Sequence, residues 1–325
     1  MKIVIYGASV TAQKGETGYF EQLAKLVDDK IEIVRLPFGA SHLQFAGLAM
    51  IQKVLDEKPD FCILDWVTPS TKSFPDGIVE RINNILIANN IKPIWVLLPR
   101  TDDIDASREC CQQVVAAQSE LVKVFNFQLS GYRESDLSKI LRDVVHTNSE
   151  GAERYARFMY QIINENCLKN GLIKDIPIEA TSIPKIITCE GRLSQSHPLT
   201  VSIKVSEECN IALYCLATIG PASPVIELQL LSNGKVIQNY VRNVVDPWCY
   251  YERTMLLNLP SLKRVPEGDY SIRIQTSVAD PFETIETLKP IPEGKKMDSH
   301  SERFLNIIEL AIDGEVEIEE YQYGL

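Results

Sequence analysis

Two short segments of this 325-residue chain carry residue types that together can make and break an ester bond. Ser9 lies in Gly7-Ala8-Ser9-Val10-Thr11, directly after an apolar run, and an acid and an imidazole lie in Asp143-Val144-Val145-His146. A serine hydroxyl is a poor nucleophile at neutral pH. It needs a base within hydrogen-bond reach and a third group that holds the base in one tautomer. Of the four histidines, at 42, 146, 197 and 300, His146 is the one preceded by an acid at a useful spacing. Three residues apart on a turn or helical segment, carboxylate and ring can point the same way. A small-residue turn after a strand lets the backbone bend sharply and leaves a hydroxyl and its own N–H at the strand's carboxyl end. Each half also has a plainer reading. Ser9 alone reads as a helix N-cap, and Asp143 with His146 alone reads as a solvated helix end.

The elements that must bring the two segments together read as alternating strands and helices. Strands are expected at Lys2–Tyr6, Ile31–Leu36, Asp60–Trp66, Pro93–Leu98 and Leu121–Phe125. Helices are expected near 19–28, from the Gly39-Ala40-Ser41 turn to about 57, and over 76–90, 106–119 and 151–169, the last ending at Asn170-Gly171. Strands with almost no polar alternation, joined by helices, imply a parallel sheet covered on both faces. Such α/β sheets bind ligands at the carboxyl ends of their strands. Ser9, Gly39 and Thr68-Pro69 each follow a predicted strand and gather at that edge.

Beyond about residue 175 the helical period disappears, and Pro177 and Pro184 mark a linker. Runs at 199–205, 211–217, 225–231, 236–241, 251–257, 270–275 and 304–313 read as strands of a β-sandwich. Ser232-Asn233-Gly234-Lys235 carries a hairpin signal between two of them. The expected domains are therefore 1–175 and 176–325.

The first domain resembles the SGNH or GDSL hydrolases. Gly7-Ala8-Ser9 resembles their Gly-Asp-Ser motif, and Asp143-Val144-Val145-His146-Thr147-Asn148-Ser149-Glu150-Gly151 resembles their closing Asp-x-x-His motif with its following Gly and helix. The resemblance implies a flavodoxin-like three-layer domain in which Ser9, Asp143 and His146 are catalytic. It implies an oxyanion hole built from the N–H groups of Ser9 and Gly39. The family's third donor, an Asn after the third strand, is absent from Asp65-Trp66-Val67-Thr68-Pro69-Ser70, and Thr68 or Ser70 is the expected substitute. Losing one such donor costs about 10²–10³ in rate. His42 and Arg100 lie where they could meet substrate, although a structural role is the plainer reading of His42 and a solvated loop position is as plain a reading of Arg100. The activity implied is ester hydrolysis, or O-acetyl transfer, on a carbohydrate. Hydrolysis needs no cofactor, whereas transfer needs an acyl donor such as acetyl-CoA. The reading from another class is a silent glycan-binding or scaffolding protein that keeps the fold.

A net charge of −11 argues against nucleic acid as a partner. No run approaches the roughly 20 apolar residues of a membrane helix, and Met1-Lys2 leads straight into a short strand, so a cytoplasmic location is expected. The eight cysteines show no C-x-x-C pair and read as free thiols, with no metal site. Tyr240, Trp248, Tyr250 and Tyr251 are expected in the sandwich core more than on a sugar-stacking face. The acidic run from Glu315 to Glu320 reads as solvated surface. A glycan or small-molecule ester is the expected partner, and the oligomeric state is not legible.

Overall fold

The structure, a computed structural model, describes residues 1–103, 105–127, 134–167, 181–297 and 301–324. The predicted helix end at Asn170-Gly171 and the linker residue Pro177 lie outside these. The chain forms two compact units, Met1–Ile183 and Pro184–Leu325.

The first unit is built on five parallel strands: β1 (Lys2–Gly7), β2 (Glu32–Pro37), β3 (Phe61–Asp65), β4 (Lys92–Leu97) and β5 (Lys123–Asn126), in the order β2-β1-β3-β4-β5. This is the flavodoxin-like order. The chain leaves β1 toward one edge and returns on its other side as β3, which opens a crevice at the carboxyl end of β1. Register fixes that edge closely, because Gly7 pairs with both Pro37 and Asp65. The residues that follow the three strands therefore emerge side by side.

Helices cover both faces. α1 (Ser9–Ala12), α2 (Tyr19–Ala24) and α7 (Ser149–Ile162) lie on one, where Ile3 and Ile5 pack with Leu23, Tyr155 and Met159. In α7 the buried Ala152, Tyr155, Ala156, Met159 and Ile162 recur at the three- and four-residue steps of a helix stripe. α3 (Ile51–Asp56), α4 (Ile78–Ala88) and α5 (Glu109–Ala116) are the remaining sheet-covering helices, and α6 (Glu134–Ile140) precedes the His146 loop. The helix expected from 41 to 57 is broken, with a π-turn over Leu43–Gly47 before α3. A Cβ on Gly47 would fall 2.8 Å from Leu43 and 3.3 Å from the Trp66 ring, so close packing on Trp66 sets this backbone.

The second unit is a sandwich of two antiparallel sheets. One contains β10 (Lys235–Asn243), β9 (Val225–Ser232), β13 (Gly268–Thr276), β7 (Leu199–Val205) and β15 (Val316–Tyr323), in that order. The other contains β11 (Arg253–Asn258), β8 (Cys209–Ile219), β14 (Leu305–Asp313) and β6 (Lys185–Leu193), with β12 (Leu262–Val265) also on β8. Inward residues such as Ile203, Leu213, Ile272 and Leu310 form its core. Asn233 (φ 48°) and Gly234 (φ 74°) make the hairpin between β9 and β10, the left-handed pair that the Asn-Gly signal predicts. The Glu315–Glu320 run is largely the edge strand β15, with Glu317, Glu319 and Glu320 exposed. Charge on an edge strand discourages pairing with another chain.

The aromatic cluster corrects the expectation of a core. β11 starts at Arg253, so the turn before it carries Trp248 (48% exposed) and Tyr251 (44%) outside the inward alternation. Tyr250 and Tyr251 pack at 5.0 Å between ring centroids, with the Arg253 guanidinium 5.5 Å from Tyr251 and the Lys289 ammonium 5.7 Å from Tyr250. Only Tyr240 packs against the core, half-buried.

Candidate active site

Ser9 is the first residue of α1, and the N-cap position belongs to Ala8, which makes no side-chain cap bond. Ser9 is therefore not the N-cap of this helix. It is half-buried, and its hydroxyl makes no hydrogen bond among the described residues. As the first helical residue it also carries one of the N–H groups that a helix leaves without an internal acceptor. The turn is tight against β3. Ala8 N–H donates to the Asp65 carbonyl at 3.2 Å, and a Cβ on Gly7 would lie 2.3 Å from Thr11 Oγ1 and 2.8 Å from the Asp65 carbonyl oxygen. Glycine at position 7 is what lets the Ser9 turn sit on that strand.

Asp143 and His146 are in contact. Nδ1 of His146 lies 2.9 and 3.0 Å from the two carboxylate oxygens, and Oδ1 also accepts the N–H groups of Val145 (3.0 Å) and His146 (2.8 Å). Burial pushes the Asp143 carboxyl up, but those two N–H donors and the ring outweigh it, so the group stays below its ordinary value and ionised. An ionised Asp143 draws the ring proton to Nδ1 and leaves Nε2, which has no partner among the described residues, as the basic nitrogen.

The loop carrying this pair is fixed on several sides. Arg142 N–H donates to the His146 carbonyl at 2.9 Å, and Thr101 N–H to the Val144 carbonyl at 3.1 Å. Asn148 caps α7 by accepting from Gly151 N–H at 2.9 Å, while its Nδ2 donates to the Lys139 carbonyl at 2.6 Å. A Cβ on Gly151 would stand 2.1 Å from the Ile140 carbonyl oxygen, which explains the glycine that closes the motif. The loop is joined to the Ser9 turn by Gln13, just past α1, whose carboxamide pairs with the backbone of Thr147.

Gly39 comes to the same edge. Phe38 N–H donates to the Gly7 carbonyl at 2.8 Å, and the nearest atom to a Cβ on Gly39 would be Ala12 Cβ, 3.9 Å away. The Gly39 N–H has no acceptor among the described residues, and Ala40 takes up a left-handed φ of 55° beside it.

Thr68 does not replace the missing Asn. It is fully buried, and its hydroxyl donates to Asp65 Oδ1 at 2.6 Å, which leaves no proton for an oxyanion. Ser70 is likewise buried, with Oγ donating to the Trp66 carbonyl at 3.3 Å. Asp65 itself is a buried carboxylate that also accepts from Thr11 Oγ1 at 2.8 Å, so it bridges α1 and the loop after β3. Burial raises its pKa, against the pull of the Thr68 and Thr11 hydroxyls.

Arg100 is not a solvated loop arginine, nor is it open to substrate. It is 6% exposed, its fork grips Asp102 (2.6 and 2.7 Å), and Nη1 donates to the Thr68 carbonyl at 2.9 Å. Arg108 works beside it, pairing with Asp103 at 2.5 Å and donating to the carbonyls of Val67 and Ser70. His42 is half-buried with its ring 6.3 Å from Phe45, and burial holds the imidazole below its ordinary pKa. Its ring makes no hydrogen bond among the described residues. Gln13, Asp65 and Arg108 carried no sequence signal, because each acts through long-range contacts that spacing does not encode.

Among the described residues no cluster of three or more His, Cys, Asp and Glu has a metal-binding arrangement, and no helix is long and apolar enough to cross a membrane. Seven of the cysteines are free thiols; the Cys167 side chain lies outside the description.

No family model matches the chain, and no curated protein matches its sequence. Solved structures do match. A two-domain esterase active on acetylated mannans aligns at 12% identity over 98% of this chain and 91% of that one, with a TM-score of 0.59. The same esterase co-crystallised with mannopentaose gives 13% identity, 98% and 92% coverage, and a TM-score of 0.61. The chain has that two-domain fold. A lipolytic protein of the G-D-S-L family from Desulfitobacterium hafniense aligns with half of the chain at 19% identity and a TM-score of 0.42.

Proposed function

We propose that the chain is an SGNH-type serine esterase that removes acyl groups from a glycan through an acyl-enzyme on Ser9. The observation that carries this reading is the Asp143–His146 pair, tied through Gln13 to the turn that presents Ser9. His146 Nε2 takes the Ser9 proton as Oγ bonds to the ester carbonyl carbon. The N–H groups of Ser9 and Gly39 receive the oxyanion. The tetrahedral intermediate collapses as His146 returns the proton to the departing sugar oxygen, and water, deprotonated by the same imidazole, releases the acid. Throughout, Asp143 stabilises the imidazolium without taking its proton.

With Thr68 and Ser70 committed elsewhere, the hole is one donor short of the family's set, so we expect a slow enzyme. The exposed rings of Trp248 and Tyr251 support a glycan substrate, since an aromatic face exposed to water suits the apolar face of a sugar.

Incubation with a fluorophosphonate should label Ser9, and p-nitrophenyl acetate should be cleaved by the wild type and not by Ser9→Ala. Absence of both would sink the enzyme reading and leave a silent binding protein. Acetylated mannan or xylan oligosaccharides followed by mass spectrometry test the glycan. Acetyl-CoA offered with a glycan acceptor separates transfer from hydrolysis.

A further inference from the structure

Gln13 uses both amide protons and the oxygen of its carboxamide. Nε2 donates to the carbonyls of Thr147 and Thr17, both at 3.1 Å. Oε1 accepts Thr147 N–H at 3.1 Å and lies 3.2 Å from the Thr147 hydroxyl, which also reaches the Thr17 carbonyl at 2.8 Å. The carboxamide thus pairs with a peptide strand as another strand would, satisfying the N–H and the C=O of one residue at once. That residue is the immediate neighbour of His146.

The other end of the connection is equally fixed. Gln13 follows the single helical turn that starts at Ser9, and its N–H closes that turn on the Val10 carbonyl at 3.3 Å. Its own carbonyl accepts Arg35 Nη1 at 3.0 Å, and Arg35 is paired with Glu21 at 2.9 Å. A Cβ on Gly18 would lie 2.4 Å from that carbonyl oxygen, so the chain is pressed against Gln13 there. Gln13 is 8% exposed, which excludes water as a ready replacement.

We propose that Gln13 is a positioning residue of the Ser9 site, setting the approach of Ser9 and His146 by pairing with Thr147. The proposal rests on the esterase reading. A carboxamide that only stabilised the fold would serve the melting temperature. One that sets the nucleophile-to-base approach also serves kcat, because a misplacement of about 1 Å costs on the order of 10²-fold in rate.

The test uses the full chain with p-nitrophenyl acetate. Gln13→Ala should lower kcat about 10–100-fold and leave KM within about twofold. Gln13→Glu gives the decisive measurement. Its carboxyl, when protonated, is shaped like the carboxamide and keeps one donor; ionised, it faces the Thr147 and Thr17 carbonyls with none. Burial and those two oxygens raise the pKa of the introduced group, against the Thr147 N–H that still donates to Oε1 and against Arg35, which is already paired with Glu21. The ratio of variant to wild-type kcat should therefore fall as pH rises through that pKa. Taking the ratio removes any pH dependence that both proteins share. Circular dichroism confirms folding at each pH, and if Gln13→Ala fails to fold, the Gln13→Glu ratio still decides. A ratio near one at every pH, or a reduced ratio that does not change with pH, overturns the proposal. If the wild type is not labelled at Ser9 by a fluorophosphonate, the esterase reading fails and this proposal falls with it. Labelled wild type with a flat ratio defeats Gln13 alone.

Discussion

Replacing Asp143 by asparagine isolates the task of the carboxylate from its structural role. Oδ1 accepts two backbone N–H groups at 3.0 and 2.8 Å, and an asparagine carbonyl keeps both by taking that place. The amide nitrogen then falls where Oδ2 stands, 2.9 Å from His146 Nδ1. It can only donate there, which favours the tautomer with a lone pair on Nδ1 and the proton on Nε2, although the carbonyl oxygen 3.0 Å from Nδ1 can still accept from the other. The loop survives, but in the favoured tautomer the nitrogen that the proposed mechanism uses to accept the Ser9 proton is occupied. In a buried serine triad this exchange of tautomer costs about 10⁴ in kcat. Here the Asp143 side chain is 48% exposed and that of His146 28%. Water can restore the productive tautomer part of the time, and the lost ion pair is partly screened. We expect a fall of about 10²–10³ in kcat, roughly 3–4 kcal/mol of barrier, with KM little changed. Steady-state cleavage of p-nitrophenyl acetate and the rate of fluorophosphonate labelling should fall together. A variant within about threefold of wild type in both assays would refute Asp143 as the orienting acid.

Three further outcomes follow from the packing. Gly7→Ala should destabilise the protein by about 3 kcal/mol or prevent folding, since its methyl would meet Thr11 and Asp65, whereas Gly39→Ala should keep the melting temperature, having open space to ordinary contact distance. Thr68→Ala should cost about 1–3 kcal/mol in denaturant unfolding by taking a donor from the buried Asp65, with kcat within about threefold; a 10²-fold loss in kcat would restore Thr68 to the oxyanion hole. Asp103 is raised by burial but held below its ordinary value by Arg108 and Ser107, so it contributes stability above the unfolded carboxylate pKa of about 3.9 that is lost as pH falls through its lower folded value. Asp103→Asn should therefore melt lower than wild type at neutral pH and approach it in acid; parallel melting curves across that range would contradict the assignment.

The strands of the parallel sheet and the pair of segments at its edge were legible in the sequence because both are local. An apolar run of five or six residues states its own burial, and a glycine that must lie against β3 sits two residues from the serine it positions. The elements missed carry mixed signals. β6 includes Glu190 and Arg192 among its alternating apolar residues, β12 is four residues long, and β15 hides its pattern under glutamates. Tyr251 falls outside the sandwich core because the strand starts at Arg253, two residues after the predicted start, which leaves its ring on the turn with that of Trp248.

The middle of the site was illegible for a different reason. Spacing can pair Asp143 with His146, but it cannot say that Arg100 spends its fork on Asp102 or that Thr68 gives its proton to Asp65. Those bonds span only two and three residues, but what holds the residues in place to make them is not local: Arg100 also reaches the Thr68 carbonyl and Asp65 also accepts from Thr11, contacts made only when β1, β3 and β4 lie side by side. The consequence bears on rate. The loop after β3, where the proposed site would take a third oxyanion donor, has carbonyls bound by Arg100 and Arg108 and its hydroxyls turned inward. A loop whose hydroxyls and carbonyls are so engaged by its own domain has few of them left to offer a substrate. Restoring a side-chain donor there would therefore require replacing part of the arginine clamp as well, since a new amide could not displace the bonds that hold Thr68 in place.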